Sequence, residues 1–247
     1  MKKHTKSKPT TVTTPPTVQR FVIIGCGGGG SIFLSLSVRF IRSYYKKLGL
    51  PFKIILVDGD QYKPKNTERQ LFYGRMGNKA QIQAEIIQSE FKDVDVEYFS
   101  DFVDEHNIVD FVKGGDFVFA FVDNHRTRKR LSDRCRQLNN IDFYTCGNFY
   151  EDGDGHIYIR RDGRDLIQPI TKDHPEIEFP TDTAPDKVSC LEEQETSEPQ
   201  LVFANAHAAL SVIDLMYNWL VYKKLKASGI YFDMGEMNQN LAPILLG

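Results

Sequence analysis

Short apolar runs recur along the chain, and between them the apolar residues take a helical spacing. "RFVIIG" and "FKIILVD" read as buried strands, "VDVEYFS" alternates like a strand, and "DFVFAFVDN" is again continuously apolar. After the first run, Leu34, Val38 and Ile41 fall at i, i+4 and i+7, with Ile32 and Phe33 widening the stripe, so one helix face packs on a sheet. "NKAQIQAEIIQSEF" repeats the helical pattern through Ile82, Ile86 and Ile87. "DEHNIVDFVKG" reads as a short helix and "HRTRKRLSDRCRQLN" as a basic one. "DFYTCGNFY" and "GHIYIRR" are two more strands joined by the turn-rich "EDGDG". "LVFANAHAALSVIDLMYNWLVYKKLK" is a long helix, and "IYFDMGEMNQNLAPILL" closes with a strand and a tail. Strands alternating with helices predict a doubly wound α/β fold. Its sheet is mostly parallel, with helices on both faces and added C-terminal strands.

Two stretches lack this pattern. Residues 1–19 are rich in Lys, Thr and Pro with almost nothing apolar to bury, and read as a disordered tail before a single domain at 20–247. Residues 162–200 hold many Asp, Glu, Pro and Thr, and read as an irregular insertion within that domain. The composition, 41% hydrophobic and 26% charged, is that of an ordinary soluble protein. A net charge of −2 gives no electrostatic case for nucleic-acid binding. No apolar run reaches membrane-spanning length and no signal-peptide core opens the chain. Cys26, Cys135, Cys146 and Cys190 form no C-x-x-C pair, which argues against a disulfide framework or a structural zinc site. A reduced, cytoplasmic protein is the expectation.

The glycines narrow the chemistry. "GCGGGG" fits G-x-G-x-x-G through Gly25, Gly27 and Gly30, after a strand and before a helix, the arrangement of a Rossmann-like nucleotide loop. A tight turn with no ligand is the plain alternative. Asp58 ends the second strand, where such folds place a ribose-binding acid, although a cap for the next segment would read the same way. These features alone also suit an NAD(P)-dependent oxidoreductase. The stretch "DGDQYKPKNTERQ" shifts the balance. Dinucleotide binding has no evident use for Asn66, Arg69 and Gln70 at this place, whereas a triphosphate does. Arginine offers a planar donor fork, asparagine and glutamine add neutral donors, and Lys79 adds a point charge. Asp123, ending the fourth apolar strand, could hold magnesium.

With "GCGGGG", "DGDQYKPKNTERQ", "GNKA" and the Asp123–Asn124 pair in this order, residues 20–160 resemble the ThiF/MoeB/HesA family, the adenylation fold of ubiquitin-activating enzymes. The ThiF-like branch linked to PRTRC systems is a candidate closer relative. The resemblance implies ATP-dependent adenylation, with pyrophosphate released, of the C-terminal carboxylate of a ubiquitin-like or sulfur-carrier protein ending in Gly-Gly. It implies a homodimer, with ATP and Mg2+ as cofactors. It places Gly25, Gly27, Gly28, Gly30, Asp58, Asp60 and Asn124 in nucleotide binding, and Asn66, Arg69 and Lys79 on the phosphates. Gln70 would fix geometry and Asp123 would hold the metal. Some relatives then pass the carrier to a cysteine, and Cys190 in the insertion is the candidate here. Its acidic neighbours speak for an incidental thiol instead. The chain departs from the family in lacking two C-x-x-C pairs, so no zinc is expected. It also lacks an N-terminal helix that would carry a phosphate-contacting arginine. His125, His156, His174 and His207 are dispersed and read as surface or ordinary core residues. A non-catalytic binding subunit of the same fold is the remaining alternative.

Overall fold

In the computed structural model of the chain, the described residues are 17–182 and 201–243. The elements in chain order are β1 (Gln19–Ile24), α1 (Gly28–Leu48), β2 (Phe52–Val57), the two-residue strands β3 (Gln61–Tyr62) and β4 (Gly77–Asn78), α2 (Lys79–Glu90), β5 (Val96–Phe99), α3 (Ile108–Phe111), β6 (Phe117–Ala120), α4 (His125–Gln137), β7 (Ile141–Asn148), β8 (Asp152–Arg161), β9 (Arg164–Ile167), α5 (Pro175–Glu178), α6 (Val202–Tyr217), β10 (Gly229–Asp233) and β11 (Asn238–Ala242).

The sheet runs β11-β10-β8-β7-β6-β1-β2-β5, with β9 paired to β8. The β5-β2-β1-β6-β7 segment is parallel, and β8, β10 and β11 extend it antiparallel. Period-two alternation divides the sheet residues between two cores. Phe21, Ile23, Ile54, Leu56, Phe119 and Tyr144 point to the side covered by α1, α2 and α6. Val22, Ile24, Ile55, Val57, Val118 and Phe143 meet Phe111 and Leu131 of α3 and α4 on the other. Burial on both faces explains why these strands read as continuous apolar runs. Among the described residues no helix is long and apolar enough to cross a membrane.

The structure refines the sequence reading in three places. Residues 162–182 are not irregular throughout: they form β9, a 3-10 turn at Ile170–Lys172 and α5. The long C-terminal helix stops being α-helical at Tyr217, loosens into a π turn over Asn218–Tyr222, and ends at Lys223 with φ +51°. The closing tail returns as β11, pairing with β10 over Asn238–Ala242. That strand is exposed at four of five positions, so backbone hydrogen bonding, not an apolar pattern, defines it.

Candidate active site

β1 sits between β2 and β6, and the chain departs from it in opposite directions, so a crevice opens beyond the carboxyl ends of β1 and β6. The glycine loop fills the start of this crevice. Gly25 N donates to Val57 O at 2.9 Å, and Phe121 N donates to Ile24 O at 2.8 Å. Gly25 has φ +91°, and a Cβ there would lie 2.4 Å from Phe121 O. A Cβ on Gly30 would lie 2.0 Å from Gly25 O. The first turn of α1 therefore packs directly on the loop, with its free N–H groups at the crevice.

Hydrogen bonds fix the stretch after β2 against this loop. The Asp58 carboxylate accepts from Cys26 N at 2.6 Å and from Asp60 N at 2.8 Å. Asn78 donates to the carbonyls of Asp58 (2.7 Å) and Asp60 (3.1 Å), while its own oxygen caps α2 through Gln81 N. Asn66 is buried; its side-chain oxygen accepts from Lys63 N at 2.8 Å, and its carbonyl accepts from the N–H groups of Arg69 and Gln70. The Tyr62 hydroxyl donates to Cys26 O at 2.5 Å and accepts from Gln83 Nε2 at 2.8 Å. Gln83 also donates to Leu71 O, and Leu71 N donates to Ser31 Oγ in the first turn of α1. Tyr62, Phe72 and Ile82 give the stretch a small core of its own, with the Tyr62 and Phe72 rings stacked 4.5 Å apart.

The charged groups converge on the loop. Lys79 is buried, and its Nζ lies 2.7 Å from Asp60 Oδ2. Burial pulls its pKa down, but Asp58 and Asp60 outweigh burial and hold it above the ordinary lysine value. Asp123 acts on Lys79 in the same sense. Burial opposes the Asp60 charge as well, yet Lys79 keeps Asp60 below the usual carboxylate range. Asp58 goes the other way: burial raises its pKa despite Lys79 and the two backbone donors. A Cβ on Gly27 would lie 3.9 Å from Gln70 Nε2 and 4.0 Å from Lys79 Nζ. Arg69 is half-buried, and among the described residues its guanidinium makes no ion pair or hydrogen bond. Asp123 is exposed just beyond β6. Asn124 caps α4 through Thr127 N at 2.8 Å, and Asp182 accepts from the His125 and Arg126 N–H groups of that helix.

Gly25, Gly27, Gly28, Gly30, Asp58, Asp60, Asn66, Gln70 and Lys79 therefore form one connected constellation, with Arg69 in the stretch that Leu71 and Ser31 pin to α1. Asp123 and Asn124 stand across the crevice at the end of β6. The set suits a polyphosphate. It combines a helix N-terminus, two cations and neutral donors, and the buried donor Asn205 Nδ2 has no hydrogen-bond partner among the described residues. Cys190 lies outside the described residues. Cys26, Cys135 and Cys146 are buried. Burial raises each of these thiols, that of Cys146 to about 12, so they pack rather than react.

Sequence reasoning missed Tyr62, Gln83 and Ser31, whose roles depend on contacts far along the chain. It also missed Asn205 of α6, whose amide would meet a Cβ on Gly28 at 2.6 Å. The histidine reading needs correction. His156 and His174 are not dispersed: their Nε2 atoms lie 3.1 Å apart, because β8 and the turn before α5 fold together.

The profile of the ThiF family matches residues 17–162. None of the curated proteins matches in sequence. Among solved structures, E. coli MccB with ATP is 17% identical at a TM-score of 0.65, and the alignment covers 92% of this chain and 64% of that one. E. coli MccB with selenomethionine MccA is 16% identical at a TM-score of 0.67, covering 93% and 64%. PaaA is 17% identical at 0.63, covering 93% and 65%. The chain thus spans just under two thirds of the length of these proteins, with which it shares the fold.

Proposed function

The chain belongs to the ThiF family, and from that membership we propose that it adenylates the C-terminal carboxylate of a peptide or carrier protein with ATP. A carboxylate oxygen attacks the α-phosphorus. The new O–P bond forms as the bond to the β-phosphate oxygen breaks, giving an acyl adenylate and pyrophosphate. The carboxylate is the nucleophile, so the protein contributes position and charge. Lys79, anchored on Asp60 beside Gly27, is the observation that carries this reading. It supplies positive charge at the glycine loop, where phosphates bind along the N-terminus of α1. Arg69, with no partner within the described fold, supplies the second cation, and Asn66 and Gln70 add orientation. Asp58 serves the ribose: each carboxylate oxygen keeps a lone pair beyond the loop N–H it already accepts. Asp123 would hold magnesium, whose charge offsets that building on the phosphates.

In the finer reading the acceptor is a ubiquitin-like or sulfur-carrier protein ending in Gly-Gly, and the assembly is a homodimer. Transfer would follow from adenylate to the Cys190 thiol. A C–S bond forms, AMP leaves and the thiol proton passes to solvent. The buried state of the described cysteines supports Cys190 for that step. MccB, crystallised with MccA and with ATP, supports a peptide or carrier acceptor.

A thermal shift with Mg·ATP and with NAD(P) tests the reading, joined to pyrophosphate exchange. Mg·ATP at about a hundred times its Kd stabilises by about 2.7 kcal/mol. Arg69→Ala should leave the melting temperature of the free protein unchanged and lower exchange by about a hundredfold or more. Asp123→Ala should abolish the shift by Mg·ATP. Stabilisation by NAD(P) instead would transfer the site to an oxidoreductase. Cys190→Ala with undiminished carrier transfer would remove the thioester step.

A further inference from the structure

The histidine pair described above belongs to a larger cluster outside the nucleotide constellation. Asp154 and His156 stand two residues apart on β8 and so face the same side. His174 arrives from the turn before α5, eighteen residues further on. Three donor atoms converge. His156 Nε2 and His174 Nε2 are 3.1 Å apart, His174 Nε2 and Asp154 Oδ2 are 3.2 Å apart, and His156 Nε2 and Asp154 Oδ2 are 3.7 Å apart. Donors bound at about 2.0–2.1 Å to one tetrahedral zinc ion stand about 3.3 Å from one another. The observed distances bracket that value.

The surroundings orient these atoms for the same task. His174 Nδ1 lies 2.8 Å from Glu176 Oε1, a carboxylate that holds the ring proton on Nδ1 and turns the Nε2 lone pair inward. The other Asp154 oxygen accepts from Gly147 N at 3.0 Å. His156 is buried, and a Cβ on Gly229 would strike its ring at 2.6 Å, so the glycine makes room for the imidazole. The Tyr231 hydroxyl lies 3.3 Å from His174 Nε2, on the rim of the cluster. A single proton could bridge one of the three pairs. A cation would satisfy all three at once.

The geometry points to a divalent transition-metal site, of the zinc class, formed by Asp154, His156 and His174, with a fourth position open to water or another ligand. Two imidazoles and one carboxylate suit zinc rather than magnesium or calcium, which prefer all-oxygen sets. The site would tie β8 to the segment that runs through α5 to Asp182, the residue that caps α4 beside Asp123 and Asn124. The metal would thus brace one wall of the crevice. This inference does not depend on the adenylation reading.

The test uses the untagged full chain, stripped with a chelator and then titrated with Zn2+ and with Co2+. One tight equivalent of zinc is expected, and cobalt should give the intense visible bands of a four-coordinate ion. His174→Ala, at a partly exposed position, should lower zinc affinity more than a hundredfold, and Asp154→Asn should also weaken it. Glu176→Gln should cost about tenfold. Asp123→Ala should bind zinc like the parent chain, even if it fails with Mg·ATP. The inference is overturned if the parent chain takes up no stoichiometric zinc. Binding that survives both His174→Ala and Asp154→Asn overturns it equally. Circular dichroism of each metal-free variant confirms the fold, and Asp154→Asn and Glu176→Gln keep the test decisive if His174→Ala does not fold.

Discussion

Tyr62 and Asp116 show how single side chains hold this molecule. The Tyr62 hydroxyl links the glycine-loop carbonyl of Cys26 to Gln83 of α2. Tyr62→Phe keeps the ring stack with Phe72 but leaves the Cys26 carbonyl and a Gln83 donor without that partner. A loss of about 1–3 kcal/mol in urea denaturation is expected, together with weaker Mg·ATP stabilisation. Asp116 is 2% exposed and accepts from Lys113 N at 2.8 Å, with Arg20 Nε 3.4 Å away. Burial pushes its pKa up to about 6 against the pull of those groups. A carboxyl with its pKa raised in the folded state contributes stability below its unfolded value, and that contribution is lost as pH rises through about 6. Asp116→Asn removes this titration. The parent chain should therefore lose about 2 kcal/mol relative to the variant between pH 4 and pH 7, read from paired urea curves.

Between elements, one close constraint lies where α1 meets α6. A Cβ on Gly28 would reach the Asn205 amide at 2.6 Å, and the Asn205 amide also lies 3.5 Å from that of Asn148 on β7. Gly28→Ala must displace Asn205, at a cost of about 1–3 kcal/mol. In an Asn205→Ala background the same change should cost at least 1 kcal/mol less, a coupling that a double-mutant cycle in chemical denaturation measures directly. Gly30→Ala is harsher, because the obstacle is the Gly25 carbonyl rather than a side chain. It should melt far below the parent and bind no Mg·ATP. Comparison of these two glycines separates a contact that can yield from one that cannot.

At the scale of the whole molecule, the match to the ThiF family ends at residue 162, but the hydrophobic core does not. Ala208, Ala209, Val212, Leu215 and Met216 of α6 are buried against the sheet together with α1, and Ile230 and Phe232 of β10 extend the same core. A chain cut after residue 200 would expose that face. It should keep much of its far-UV signal, lose near-UV structure and bind a hydrophobic dye. A fragment with full near-UV signal and a cooperative melt would show the N-terminal unit to be self-sufficient.

What the sequence determined by itself was whatever rests on local periodicity or on neighbouring residues. The parallel strands were legible because burial on both faces leaves uninterrupted apolar runs, as in Val22–Ile24 and Ile54–Val57. The longer helices were legible from their spacing, though the four-residue α5 was not, and the glycine loop from its place between strand and helix. The Lys79, Asn66 and Gln70 set was legible as a pattern, though not the Asp60 partner that holds Lys79 at the loop. β11 was not legible, since an exposed edge strand needs backbone partners rather than apolar residues. Tertiary structure alone decided that Tyr62, Gln83 and Ser31 knit the site, that Asn205 closes on Gly28, and that Asp154, His156 and His174 share one point. Each of these depends on residues brought together by the sheet and its crossovers, and separation along a chain carries no record of that distance in space.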